Sequence, residues 1–236
     1  MMMPVFKDRS TQEEIMDDLD IHGEELNKTL NELDAINHWL GGNAVTISGL
    51  KKLLRDKVDE PVYVADLGCG GGGMMRLLSR WAARRKREVH FFGLDANAHI
   101  VNFARDQSAA YENLHFKQLD VLDQEFDNHS YDIVLATLFF HHFTHEQLVT
   151  LFKKLKKIAT TGIVVNDLHR HLLAYYGFKL VSSLFSRSGM VKNDGLISVL
   201  RGFKKQELEQ ILAKADIRNY KIAWKWAFRW QLIIYL

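Results

Sequence analysis

The chain has a single cysteine, Cys69, among its 236 residues, so no disulfide can form within it. It has two prolines, Pro4 and Pro61, and neither an internal repeat nor a low-complexity linker. The formal net charge is only +2, which predicts no dominant field for nucleic acid or for a membrane. There is no apolar run of about 18 residues, so no transmembrane helix and no membrane insertion are expected. The opening "MMMPVFKDRSTQEE" turns polar within a few residues and lacks the apolar core of a signal peptide. A cytoplasmic location is the expectation.

What is present is a globular composition, with 47% hydrophobic and 25% charged residues. That suffices for one α/β domain with a sizeable core. Residues 1–60 read as a helical N-terminal extension. "STQEEIMDDL" offers Ser10 and Thr11 as caps, and Leu26, Leu30, Leu33, Ile36 and Leu40 recur on one helical face up to Gly41 and Gly42. "AVTISGLKKLLRDKV" predicts a third helix. From residue 61 to 236 strands and helices alternate, which implies a parallel sheet with right-handed crossovers. A helical, partly apolar insertion spans about 170–202. In the C-terminal "NYKIAWKWAFRWQLIIYL", Trp224, Trp226, Phe228, Trp230 and Leu232 alternate onto one face, which predicts a closing antiparallel hairpin. The fold class is therefore α/β: a Rossmann-like, seven-stranded, mostly parallel sheet with an antiparallel C-terminal strand, a helical extension and a helical lid.

The chemistry starts at "VYVADLGCGGGGMMRLLSRW", where Gly68 to Gly73 form a G-x-G-x-x-G between a strand and a helix. Such a loop presents backbone N–H groups at a positive helix end. Nucleotide cofactors of several kinds use that geometry, so the neighbouring acids discriminate. Asp66 would repel a pyrophosphate, as in a dehydrogenase's nicotinamide dinucleotide. It suits a ligand with an ammonium, a sulfonium and a single carboxylate, which describes S-adenosylmethionine. Asp95 ends the second strand, where an acid can accept from ribose hydroxyls. Asp120 follows the third strand, where a carboxylate can accept from an adenine amine beside Val121 and Leu122.

The order "VADLGCGGGG", "GLDAN", "QLDVL" and "YDIVLATLFFHHF" resembles the class I S-adenosylmethionine-dependent methyltransferase family over about residues 60–168. The resemblance implies S-adenosylmethionine as cofactor. It implies that Asp66, Leu67, Gly68, Cys69 and Gly70 line its methionine end, that Asp95 and Ala96 hold the ribose, and that Asp120 and Val121 hold the adenine. Thr137 and Leu138 would lie beneath it. The four-glycine run is richer than the family's usual loop. "DRSTQEEIMDD", "INHWLGG", "NDLHRHLLAYY" and "VKNDGLISVLRGFKKQEL" resemble bacterial methyltransferases often associated with polyketide or phenolic-lipid pathways. That implies a small phenolic or quinone-like acceptor, hydrophobic in character, and O-methylation ahead of C-methylation. Arg9 and Trp39 would then close over the cofactor.

Methyl transfer to a hydroxyl gains from a base that takes its proton. Imidazole is the side chain suited to that at neutral pH. His141 and His142 follow the fourth strand and His169 follows the fifth, so these three are the catalytic candidates. No tight ligand spacing joins them to Asp167, and no metal is expected. The apolar residues 170–200 fit a lid, a buried helix pair or a homodimer interface. The basic run "RLLSRWAARRKREVH" suits a solvated helix end, and no nucleic-acid partner is expected. An RNA methyltransferase and a non-catalytic cofactor-binding scaffold are the rival readings.

Overall fold

The computed structural model describes residues 6–55 and 61–236. The alternation from residue 61 becomes strands β1 (Val62–Leu67), β2 (Val89–Asp95), β3 (Leu114–Gln118), β4 (Tyr131–Thr137) and β5 (Ala159–Leu168), then the hairpin β6 (Tyr220–Lys225) and β7 (Arg229–Tyr235). One seven-stranded sheet results, in the order β3-β2-β1-β4-β5-β7-β6. β1 to β5 pair in parallel, while β7 runs antiparallel to both β5 and β6. The expected architecture is found. The order reverses between β1 and β4, and open α/β sheets bind ligands outside the carboxyl ends at such a point.

Helices cover both faces. α2 (Gly42–Leu53) and α3 (Gly73–Ala83) enclose one core, with Leu50, Met75, Leu78, Val64 and Phe91 buried together. α5 (His145–Ile158) and α8 (Lys205–Lys214) enclose the other, around Phe126, Phe140, Phe152 and Phe203. Each such side chain contributes about 1.5–3 kcal/mol on burial. The central strands β1, β4 and β5 are buried on both faces, which is why they read as continuous apolar runs, whereas the edge strands β3 and β6 are partly exposed. α1 (Glu24–Trp39), α4 (Ala98–Gln107) and α7 (Gly189–Arg201) share a third cluster through Leu26, Leu30, Ile100 and Met190. α6 (Leu172–Phe185) packs beside α7 and, with it, forms the insertion.

Three expectations need correction. "STQEEIMDDL" is not a helix: only Ile15–Asp17 form a short 3-10 turn. Its polar groups are taken by tertiary partners, because Asp194 of α7 accepts the Ile15 and Met16 N–H groups at 2.9 and 3.0 Å. The third helix ends at Leu53, and its expected last residues, 56–58, lie outside the described residues, as does the expected boundary at residue 60. The aromatic alternation does not run through the hairpin, because Trp226, Ala227 and Phe228 form the turn and leave Trp224 and Trp226 exposed.

α2 also locks onto the sheet. Asn166 of β5 donates to the Gly42 carbonyl at 2.9 Å and to Thr46 Oγ1 at 3.0 Å. These buried bonds hold the N-terminal helices over the carboxyl edge of the sheet.

Candidate active site

A cavity of about 760 Å³ opens over the switch point. Most of the residues expected to bind a cofactor line it: Asp66, Gly68, Cys69, Gly70, Asp95, Ala96, Asp120, Val121, Thr137 and Leu138. Leu67 does not; it is fully buried in β1 and packs the core beneath the loop. Gly68 and Gly70 both have positive φ, +61° and +51°. At Gly68 a Cβ would also run into the Phe139 ring, so glycine is required there for conformation and for space.

The acids are positioned by backbone. Asp95 accepts the Gly70 N–H at 3.2 Å and the Asn97 N–H at 3.1 Å, which ties the loop to the end of β2. Asn97 in turn caps α4 through the N–H groups of His99 and Ile100. Asp120 accepts the Leu122 N–H at 2.9 Å. Asp66 is different. Its Oδ1 is buried without a hydrogen-bond partner. Burial, then the carboxylates of Asp34 and Asp95, push its carboxyl up to about 7. An orphaned acid among other acids is the environment a ligand's ammonium would satisfy. The apolar Leu119, Val121, Leu122 and Ile100 lie along the same wall, as a base ring needs. The residues present fit S-adenosylmethionine.

The other end of the cavity holds His141 and His142, which a 3-10 turn over Phe140–His142 turns inward. His141 Nδ1 lies 2.8 Å from Asp167 Oδ1, and His142 Nδ1 lies 2.6 Å from Asp17 Oδ1. Burial works to raise Asp167, but His141 and the Leu168 N–H outweigh it and hold the carboxyl below its ordinary value. Asp17 is held well below the usual range: hydrogen bonds from His142, Glu14 N–H and Arg201 outweigh its burial. Both acids are therefore ionised and accept only, so each imidazole donates from Nδ1 and turns its Nε2 away from the acid. His141 Nε2 faces Glu14 Oε1 at 3.6 Å. Burial pushes Glu14 up to about 7, and its Oε1 has no hydrogen-bond partner.

Glu14, His141 and His142 bring ligand-type atoms within 4.8 Å of one another, a grouping that linear spacing did not show. The Arg201 guanidinium lies 3.9 Å from the same Glu14 oxygen and supplies a resident cation there.

His169 does not line the cavity. Its Nδ1 accepts from Trp224 Nε1 at 3.2 Å, and its ring packs edge-on against Trp230 at 5.0 Å. Burial, with His171, Arg170 and Lys204 nearby, lowers its basicity. The structure thus puts it in an aromatic cluster behind the hairpin. Nor do Arg9 and Trp39 close over the site. Trp39 is 86% exposed. Arg9 donates to the carbonyls of His141 at 2.8 Å, Phe143 at 2.9 Å and Arg201 at 2.7 Å, so it clamps the histidine turn from outside the cavity.

Glu14, Asp17 and Asp34 were missed in the sequence. They come from residues 6–34, and only the fold brings that segment over the sheet. Arg201 anchors it, bonding to Asp17 and donating to the backbone of His141 at 3.1 Å and His142 at 2.5 Å. Arg170, fully buried, grips Glu207 with both arms and also takes the Phe6 and Lys7 carbonyls.

Residues 64–162 match the family model for the methyltransferase domain. Over those residues, from β1 into β5, the chain resembles methyltransferase domains. It is 30% identical over 131 residues to the phosphoethanolamine N-methyltransferase of Plasmodium falciparum (isolate 3D7). That match takes in 53% of this chain and 47% of the relative, so the chain spans about half the length of the curated relative it matches. Solved structures share the fold. The plantazolicin methyltransferase in complex with SAH aligns with a TM-score of 0.65 at 15% identity, over 89% of this chain and 95% of that one. The magnesium protoporphyrin IX methyltransferase of Synechocystis PCC 6803 aligns with a TM-score of 0.54 at 19% identity, over 82% and 81%. The glycine loop and the three strand-end acids lie by the carboxyl ends of β1, β2 and β3, the edge on which open α/β sheets bind ligands.

Proposed function

We propose that the domain transfers a methyl group from S-adenosylmethionine to the hydroxyl of a small, apolar, phenolic or quinone-like acceptor. One observation carries this reading. Two carboxylate-backed imidazoles line the same cavity as the glycine loop. When bound, the cofactor supplies an electrophilic methyl carbon on a sulfonium. The remaining work belongs to the chain.

Asp66, Asp95 and Asp120 orient the cofactor at the switch point. The acceptor occupies the space between the histidine turn and the inner side of α6, where Leu173, Phe178 and Val181 line the cavity with Phe228. His141 Nε2 takes the acceptor's hydroxyl proton, and Asp167 steadies the imidazolium through Nδ1. Glu14, ionised above about pH 7, lies on the other side of that charge. His142, with Asp17 behind it, is the second proton acceptor available in the cavity. Holding the acceptor oxygen in place is the chain's other contribution. The commitment to oxygen rests on this base, because a hydroxyl must lose a proton to become a strong nucleophile.

The test is incubation of the purified chain with methyl-labelled S-adenosylmethionine and a panel of phenols, hydroquinones, amines and active-methylene compounds. Labelled methyl ethers that vanish in His141→Asn support the reading. Label found only on nitrogen or carbon would overturn it. Cofactor binding with no transfer to any class would favour a scaffold.

A further inference from the structure

The α6 helix is apolar on both sides. Its inner side lines the cavity through Ala174, Phe178 and Val181. Its outer side exposes Leu172, Tyr176, Leu180, Leu184 and Phe185, the last at 76%. Tyr176, Leu180 and Leu184 recur every four residues and share one face. The hairpin turn continues this surface with Trp224 and with Trp226, which is 68% exposed. The two parts adjoin: His171, the N-cap of α6, stacks on Phe228 of the turn at 5.2 Å. A patch of large apolar side chains this long is unusual on a surface that meets only water.

The two segments that build it carry charge of one sign. Residues 168–193 contain no aspartate or glutamate, and neither do residues 217–236. Lys179, Arg187 and Lys192 are exposed in the first segment, and Lys225 stands half-buried between the two tryptophans in the second. Glu32, which reaches the end of α6, is occupied by the Ser186 hydroxyl and the N–H groups of Arg187 and Ser188. Exposed leucines, tryptophans and cations with no acid among them are what an anionic bilayer surface takes up. No described helix is long and apolar enough to cross a membrane, so the contact is with the interface.

We propose that the outer face of α6 and the Trp224–Trp226 turn form a docking surface for a bilayer carrying anionic lipid. Leu173 and Trp226 are exposed and also line the cavity, so the cavity wall reaches the surface at this face. An apolar molecule dissolved in lipid then enters without crossing water. The docking itself does not depend on which atom is methylated.

The test is co-sedimentation of the full chain with phosphatidylcholine vesicles, with and without phosphatidylglycerol. Binding to the anionic vesicles, weakened by salt and reduced about tenfold in the double variant Leu180→Glu, Leu184→Glu, is the expected result. A thermal shift with S-adenosylhomocysteine in that variant shows whether it is folded. The proposal is overturned if anionic vesicles bring down no more protein than neutral ones. It is also overturned if the folded double variant binds as the parent does. A parent dimer by light scattering that the double variant converts to monomer, with no vesicle binding, assigns the face to a second copy instead.

Discussion

His141 and Asp167 are buried together with Nδ1 2.8 Å from Oδ1, although 26 residues separate them in the chain. The turn after β4 and the end of β5 meet there, and the pair fixes which nitrogen of the imidazole faces the cavity. In Asp167→Asn that nitrogen is no longer specified by an anion. Transfer should fall about 100-fold or more in His141→Asn and in Asp167→Asn, while S-adenosylhomocysteine still binds. Single-turnover rates beside a binding titration check this. A loss of cofactor binding equal to the loss of rate would make the pair structural.

Glu14 sits near His141, His142, Asp17, Ser198 and Arg201, and burial holds its carboxyl up at about 7. Below that pH it is neutral and gives no field to an imidazolium; above it the carboxylate does. The rate should therefore rise as pH passes through about 7. Glu14→Gln should lower kcat about tenfold, leave KM for the cofactor unchanged and move that limb of the profile. An identical pH profile in the variant contradicts the role.

The same buried acids make the protein's stability depend on pH. Asp66 is held at about 7, above its usual 3.8. The folded chain keeps this proton over a range in which the unfolded chain has lost it. Its contribution is full below about pH 4 and is lost as pH rises through about 7. Urea midpoints at about pH 5 and about pH 8 should differ less in Asp66→Asn than in the parent, by about 2–4 kcal/mol in free energy. An unchanged difference would show that Asp66 is not the source.

Arg201 joins the N-terminal segment to the histidine turn. Its guanidinium holds Asp17 and the carbonyls of His141 and His142. Arg201→Met should cost about 1.5–3 kcal/mol. It should also speed proteolysis within residues 6–22, and cofactor should restore protection, since Met16, Asp17 and Leu19 line the cavity. Cleavage no faster than in the parent would contradict the anchoring.

The glycine loop, the strand-end acids and the histidine pair were legible because each lies at the end of a local element. The carboxyl ends of the parallel strands β1 to β4 lie on the edge of the sheet where the cavity opens. Glu14, Asp17 and Asp34 were not legible, because they reach the cavity only through tertiary contacts of a segment with weak local structure. The failed helix over "STQEEIMDDL" has the same cause: Asp194 and Arg201, more than 170 residues away, outbid the local caps. His169 follows β5 much as His141 follows β4, but the hairpin turn takes its ring. The sequence around it does not show that pairing.

Asp66, buried and without a partner at Oδ1, stands ready for a cationic cofactor. Titration calorimetry of S-adenosylmethionine, in buffers of different ionisation enthalpy at about pH 6, counts the protons exchanged on binding. Binding with release of close to one proton, lost in Asp66→Asn together with much of the affinity, is the predicted result. Failure to bind, or a proton count that Asp66→Asn leaves unchanged, would contradict it.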